Sequence, residues 1–257
     1  MATISIAERG FRFGDGVFET IRVNNKRLFQ WDLHIKRLSD GLKLLNIPAS
    51  TCIKDICLEL VNKNNLENGF VRISISRGIG SEGYLPTNKT KATLIIETIA
   101  AKNNDYIPID LWISDYKKTP AECIPSSAKT MQGLNSTLAR MQAKNHGCFE
   151  ALLLDIKENI TEGSSSNIFW FKEDKLYTSK NNIVLGTIRD AVIKLSPYEV
   201  VQGNYNLDTL KEAQEAFLTN VSWLIKPIKS VKPLGFTYNN FDISKEILDI
   251  IIKQINI

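Results

Sequence analysis

The sequence predicts a mixed α/β (α+β) protein of two domains, and three observations carry that expectation. In the first half, strand-like alternation is interleaved with amphipathic helical runs. A polar stretch, Ala101 to Pro108, then interrupts the apolar pattern and reads as a linker. Beyond it, short apolar runs separated by turn residues make the second half β-rich. The expected division is 1–105, a smaller α/β domain, and 106–257, a larger β-rich one. At 257 residues the chain can bury a sizeable core.

Taken in order, Gly14-Asp15-Gly16 permits tight turning. Phe18 to Val23 alternates, placing Phe18, Thr20 and Arg22 on one face and Glu19, Ile21 and Val23 on the other. Asn24 to Lys26 is a turn, and Arg27 to Gln30 the returning strand. Asp32 to Leu45 is a helix with Asp32 as N-cap; His34 and Arg37, three apart, share a face near its start. Thr51 to Asn64 is a second helix with Ile53, Ile56, Cys57, Leu60 and Val61 inward. Phe70 to Ser76 is a half-buried strand, with Val71, Ile73 and Ile75 on one side. Arg77 to Tyr84 is glycine-rich, but no Lys-Ser/Thr pair or helix follows, so it is not a P-loop. Ala92 to Ile99 and Leu111 to Asp115 are strands, and the loop from Lys117 to Ser127 delivers Lys129.

Gln132 to His146 is helical, with Leu134, Leu138 and Met141 on one face and Gly147 as its stop. Ala151 to Leu154 is a buried strand, Thr161 to Ser166 a polar turn, and Ile168 to Phe171 the next strand. Leu176 to Thr178 is a short strand, and the turn at Gly186 leads into a helix, Asp190 to Leu195. A glycine turn opening a helix presents backbone N–H groups to an anion. Leu207 to Gln214 is helical, Glu215 to Thr219 a strand, Thr219 to Ser222 a turn, Trp223 to Val231 a strand and Asp242 to Ile255 a closing helix.

Composition excludes several classes. Hydrophobic residues make up 43% and charged residues 23%, ordinary for a globular domain. No apolar run approaches the roughly 20 residues that span a bilayer, and the N-terminus has no signal-like core, so the expected location is cytoplasmic. Four cysteines without a CxxC pair read as reduced thiols, and two separated histidines point to no metal site. A net charge of +4, with basic residues scattered and Lys117-Lys118 too short for an arm, argues against nucleic acid and suits a small anionic substrate.

A lone Lys129 or Glu162 in such a place is usually solvated. Together, Lys129, the pattern Glu162-x-x-x-x-Asn167-Ile168-Phe169, Leu176-Tyr177-Thr178, then Gly186 and Arg189 resemble the class IV (fold type IV) pyridoxal-phosphate enzymes. The resemblance runs from Glu8-Arg9-Gly10 to Pro227. It implies a homodimer with pyridoxal 5'-phosphate in the cleft between the domains, Lys129 as Schiff base and proton-transfer base, and Glu162 at the ring nitrogen. Arg37 (otherwise a surface arginine), Gly186, Thr187, Ile188, Val221 and Ser222 would hold the phosphate. The family usually reads Gly-Ile-Thr-Arg where this chain reads Gly186-Thr187-Ile188-Arg189. Phe18 and Thr20 would line the substrate site; Arg77 is either a substrate-carboxylate ligand or a structural loop arginine.

Within the family, Phe217-Leu218-Thr219-Asn220, the Arg77 to Tyr84 loop, and Phe18 in place of a Tyr resemble 4-amino-4-deoxychorismate lyases, which release pyruvate and 4-aminobenzoate, and this is the activity the resemblance favours. Thr161 to Ile168 and His146 to Glu150 resemble D-amino acid aminotransferases instead, and a D-amino acid or branched-chain aminotransferase is the alternative. A non-catalytic relative is the remote one, disfavoured by the joint presence of Lys129, Glu162 and Arg37.

Overall fold

The computed structural model describes residues 3–80, 83–87, 90–101 and 106–255. Residues 102–105 of the polar stretch and 81–82 of the glycine-rich loop lie outside the described residues. The chain forms two compact units, Met1–Lys102 with Ser127–Gly133, and Asn103–Ser126 with Leu134–Ile257. This differs in two places from the division into 1–105 and 106–257: the boundary falls after Lys102, and the seven residues around Lys129 return to the first unit. The reason for that return is backbone pairing, described below, which a linear reading cannot register.

The first unit contains α1 (Arg9–Phe13), β1 (Gly16–Asn24), β2 (Arg27–Leu28), α2 (Trp31–Leu44), α3 (Lys54–Lys63), β3 (Gly69–Ser76) and β4 (Thr93–Ala100). Its sheet is antiparallel in the order β2-β1-β3-β4. Val17, Ile21 and Val23 of β1 and Val71, Ile73 and Ile75 of β3 form the core with Leu38, Leu42, Cys57 and Val61 of the helices. The period-2 pattern therefore turns one sheet face to the helices. Two local expectations are corrected. The N-cap of α2 is Gln30, in left-handed backbone and without a side-chain cap, while Asp32 lies in the first turn, where it complements the helix dipole. Helix α3 starts only at Lys54, and Ile56 points outward at 50% exposed, because Cys57 and Val61 already fill the face toward the sheet.

Helix α1, unforeseen, explains the Glu8-Arg9-Gly10 and Gly14-Asp15-Gly16 motifs. Buried Glu8 caps it through Gly10 N–H and also accepts from Ser76 and Thr93 hydroxyls. Gly14 closes it in left-handed backbone, φ 65°. Asp15 then bridges two arginines: Oδ2 accepts from Arg9 Nε and Arg77 Nε, each at 2.8 Å, and Oδ1 from Arg77 Nη2 at 3.0 Å. Arg9 also donates to the Gly83 and Tyr84 carbonyls, tying down the end of the glycine-rich loop.

The second unit contains β5 (Ile109–Ile113), α4 (Leu134–Asn145), β6 (Glu150–Leu154), β7 (Ile160–Gly163), β8 (Asn167–Lys172), β9 (Lys175–Ser179), α5 (Thr187–Leu195), β10 (Glu199–Gly203), α6 (Asp208–Lys211), β11 (Glu215–Asn220), β12 (Leu224–Val231), β13 (Phe236–Thr237) and α7 (Asp242–Ile255). Its mixed sheet runs β10-β9-β8-β11-β12-β5-β6-β7, with β13 on β12. The sheet curls until its ends meet: Ile160 N–H of β7 donates to Tyr205 C=O just past β10, and Ser179 Oγ of β9 donates to Ile160 C=O, both at 2.7 Å. Leu152, Leu154, Ile168, Trp170, Leu218 and Ile228 fill its core.

Helix α4 corrects a further expectation. Leu134 and Met141 are 71% and 57% exposed, whereas Ala139 and Ala143 are buried against Ala151 and Leu153. Small side chains bring the helix close to β6, so the bulky residues are displaced to the outside. Helix α6 covers only Asp208–Lys211 of the expected 207–214. Glu162 lies inside strand β7 rather than on a turn, and the turn begins at Ser164. No described helix is long and apolar enough to cross a membrane. Among the described residues no His/Cys/Asp/Glu group could hold a metal ion, and the four cysteines are unbridged.

Replacing Asp15 by Ala should strip both Arg9 and Arg77 of their carboxylate and cost about 3 kcal/mol, the scale for breaking a buried ion pair. Urea unfolding measures this; a loss under about 1 kcal/mol would mean that the two arginines are held by their carbonyl partners alone.

Candidate active site

The first unit brings four charged side chains to the two faces of β1. The segment around Lys129 pairs with that strand: Phe18 N–H donates to Lys129 C=O at 3.0 Å, Met131 N–H donates to Gly16 C=O at 2.9 Å, and Thr130 bridges to Val17. The Lys129 ammonium consequently stands 4.7 Å from the centre of the Phe18 ring. Arg72 of β3 places its guanidinium 4.3 Å from the same ring. Two cations flanking one aromatic ring form a cation–π arrangement that fixes all three side chains. Thr20, two residues along β1 and directly across from Arg72, shares this face.

On the opposite face, Glu19 is fully buried beneath α2. Arg37 grips it with Nε at 2.6 Å and Nη2 at 2.7 Å, and His34 Nδ1 lies 2.8 Å from Oε2. Burial alone would push the Glu19 carboxyl up; the Arg37 and His34 hydrogen bonds, with the Arg37 charge, outweigh it and bring the group down to about 2. Burial moves His34 the other way, below the ordinary imidazole range, despite the opposing pull of Glu19. Because an ionised carboxylate only accepts, the His34 proton sits on Nδ1. Arg37 is thus fixed in orientation with its Nε–Nη2 edge on Glu19, and His34 buttresses it through the same carboxylate. Glu19 was legible as a charge on an otherwise apolar strand face, but nothing in the sequence named its partners.

In the second unit the buried carboxylate is Glu162. Oε1 accepts from Lys118 Nζ at 2.6 Å; Oε2 accepts from Asn167 Nδ2 at 3.0 Å and Val184 N–H at 2.9 Å. Of the roughly four lone-pair positions of a carboxylate, one on Oε1 remains for a further donor. Asn167 is held in turn by its second bond, to Val184 C=O at 2.8 Å. Gly186 makes room for it: a Cβ at 186 would meet Asn167 Oδ1 at 2.3 Å. Gly186 is also the N-cap of α5 and offers no side-chain cap to its first turn, Thr187 and Ile188, both buried at the positive end of the helix dipole. Arg189 is buried and donates to Ser179 C=O and Gln202, fastening α5 to the sheet.

The serines of the Ser164-Ser165-Ser166 turn differ in role. Ser164 and Ser165 donate to Glu150, which is buried and paired with Arg140 at 2.8 Å. Ser166 Oγ, by contrast, is buried without a partner, and so is Thr219 Oγ1. Positions 167 and 219 pair across β8 and β11, and Asn220 Nδ2 donates to Ser165 C=O, so the two orphaned hydroxyls lie at one end of this strand pair. Buried hydroxyls without partners in a native fold call for a ligand or water. In the neighbouring turn, Asn220 Oδ1 takes the N–H groups of Ser222 and Trp223. That removes the Ser222 backbone donor from the anion-binding set expected at Val221 and Ser222.

Of the remaining expected residues, Arg77 donates to Asp15 through Nε and Nη2 and to the Leu45 and Asn46 carbonyls. This is the bonding of the structural reading rather than of a substrate ligand. Lys118, Arg72, Ser166 and Thr219 went unrecognised, since each depends on strand pairing or on loop return. Within the second unit, a buried carboxylate, a glycine-capped helix and two orphaned hydroxyls have the chemistry to suit a phosphorylated pyridine cofactor.

The sequence profile described as amino-transferase class IV matches residues 16–231. A protein of Methanocaldococcus jannaschii called a putative branched-chain-amino-acid aminotransferase is 34% identical over 93% of this chain and 85% of its own length. The D-alanine aminotransferase of Listeria monocytogenes is 28% identical over 90% of this chain and 83% of its own. A putative 4-amino-4-deoxychorismate lyase structure from Legionella pneumophila superposes with a TM-score of 0.90 at 23% identity, covering 98% of this chain and 96% of that one; it shares the fold. The chain belongs to the class IV aminotransferase family, whose enzymes depend on pyridoxal phosphate, and has the mixed α/β architecture of fold type IV.

Two outcomes follow from this geometry. Gly186→Ala should drive the new methyl into Asn167 and cost 1–3 kcal/mol, on the scale of an overpacked core; the pair Gly186→Ala with Asn167→Ser should recover part of it in thermal unfolding. The Glu19 carboxyl is depressed from 4.5 to about 2, so its stabilisation is complete above pH 4.5 and is lost as pH falls toward 2. His34, also depressed, adds a loss that begins below its ordinary value of 6.5. Unfolding of Glu19→Gln across pH 7 to 2 should lack the lower limb, a difference of order 3 kcal/mol.

Proposed function

We propose that this chain is a pyridoxal-phosphate-dependent aminotransferase acting on a small amino acid, as a cytoplasmic homodimer. The observation that carries the reading is the pair of cations on the Phe18 ring, an amine for the chemistry and a guanidinium for a carboxylate, on one strand face. A substrate bearing both an amino group and a carboxylate matches that pair. The Methanocaldococcus jannaschii and Listeria monocytogenes relatives are both named aminotransferases, which supports amino-group transfer.

When bound, pyridoxal phosphate supplies a carbonyl that exchanges amines and a ring that withdraws electrons from the substrate carbon beside the nitrogen. Lys129 is assigned to attach it covalently through Nζ and, once released, to carry a proton between carbon atoms. Glu162 is assigned to the ring nitrogen, using the acceptor position left on Oε1. Arg37, the α5 turn at Gly186 to Ile188, and the Ser166 and Thr219 hydroxyls are assigned to the phosphate, with Val221 and Ser222 beside them. Phe18 and Thr20 wall the substrate site, and Arg72, in place of Arg77, is assigned to the substrate carboxylate.

The second reading, 4-amino-4-deoxychorismate lyase yielding 4-aminobenzoate for folate synthesis, rests on Phe217 to Asn220 and on Phe18. Its third support, the Arg77 loop, is weakened by the bonds that Arg77 makes to Asp15 and to the Leu45 and Asn46 carbonyls.

Purified protein loaded with pyridoxal phosphate should show a visible absorption band that borohydride bleaches, and Lys129→Ala should lose it. Incubated with 2-oxoglutarate, the wild type should form glutamate from L-leucine or from D-alanine, and the preferred donor defines the branch. Release of pyruvate from 4-amino-4-deoxychorismate without glutamate formation would instead establish the lyase. Absence of any band would overturn the enzymatic reading.

A further inference from the structure

Lys117 and Lys118 are adjacent in the sequence but have opposite fates. Lys117 reaches outward to Glu158, whereas Lys118 turns inward, its side chain 14% exposed, onto the 6% exposed carboxylate of Glu162. The loop has little freedom to do otherwise: Lys118 N–H donates to Leu154 C=O at 2.8 Å, and Ser114 N–H donates to Leu152 C=O at 2.9 Å, both on β6. Strand β6 also pairs Leu153 with Glu162, so one strand places both the cation and its carboxylate. Asn167 and the Val184 amide, the other donors to Glu162, are neutral. Arg189 lies within electrostatic range but donates to Ser179 and Gln202.

We propose that Lys118 is a positioning residue that shares the charge of Glu162 and so sets how strongly this carboxylate holds a protonated ring nitrogen. The inference rests on the proposed assignment of Glu162 to that nitrogen. Two cations on one buried carboxylate divide its attraction, and each is held less tightly than it would be alone. With Lys118 present, Glu162 is fixed in orientation and partly neutralised; without it, an incoming pyridinium N–H is the sole cation on the carboxylate.

The test compares pyridoxal phosphate with its 1-deaza analogue, in which carbon replaces the ring nitrogen, titrated into the full-length chain stripped of cofactor. In the wild type the analogue should bind more weakly, because it cannot donate to Glu162. In Lys118→Met the ratio of the two dissociation constants should rise about tenfold, and Lys118→Arg should return it to the wild-type value. Lys118→Gln, which keeps a donor without the charge, serves if the Met variant does not fold, and should shift the ratio in the same direction. If both ligands weaken equally in the variants, with the ratio constant within twofold, Lys118 is merely structural and the proposal fails. A wild-type ratio near one would also overturn it, by removing Glu162 from the ring nitrogen. If the wild type binds neither ligand, the cofactor-dependent reading itself is at fault.

Discussion

The pairing of residues 127–133 with β1 is the constraint on which the candidate site depends. Two backbone hydrogen bonds carry Lys129 from a proline-bearing loop to a defined place on a strand. Strand alternation does the rest. Phe18 and Glu19 are consecutive and therefore face opposite ways. One presents a ring to Lys129 and Arg72; the other presents a carboxylate to Arg37 and His34. A slip of one residue in this register would exchange the two faces and place an apolar ring where the arginine needs a carboxylate. The steric closeness at Gly16, where a Cβ would meet Ile75 C=O at 2.6 Å, guards against such a shift at the start of the strand.

The second unit solves a related problem with a different device. Glu150 and Glu162 are both buried acids on paired strands, and each needs donors to offset its desolvation. Glu150 takes Arg140 and two serines and thereby shapes the turn that follows β7. Glu162 takes Lys118, Asn167 and one backbone amide but keeps an acceptor position. Both carboxylates accept three hydrogen bonds, and the difference lies in the adjoining turn, where the Ser166 and Thr219 hydroxyls have no partner. The same contrast separates Ser164 and Ser165, which donate to Glu150, from Ser166, which has no partner, so three identical residues in a row are bonded in two different ways.

Arginines in the two units show how far residue type underdetermines role. Arg9, Arg77 and Arg189 saturate carboxylates, carbonyls or an amide within their own units. Arg72 lies against an aromatic ring on the sheet face that α2 and α3 leave uncovered. Planar, multiply donating side chains serve equally as structural clamps and as ligands for carboxylate or phosphate.

By itself the sequence determined the succession of elements, because apolar periodicity is local: β1, β3, α5, β11 and α7 lie close to where alternation or helical spacing puts them. Its motifs also determined the family and the cofactor on which that family depends. Tertiary structure decided the rest. It returned residues 127–133 to the first unit, turned Ala139 and Ala143 rather than Leu134 and Met141 inward, and tied Arg77 to Asp15. It also paired Lys118 with Glu162 and Glu19 with Arg37. Each of these joins residues distant in the chain, by packing in the case of α4 and by hydrogen bonds in the others, and contacts between distant strands leave no local periodicity to read.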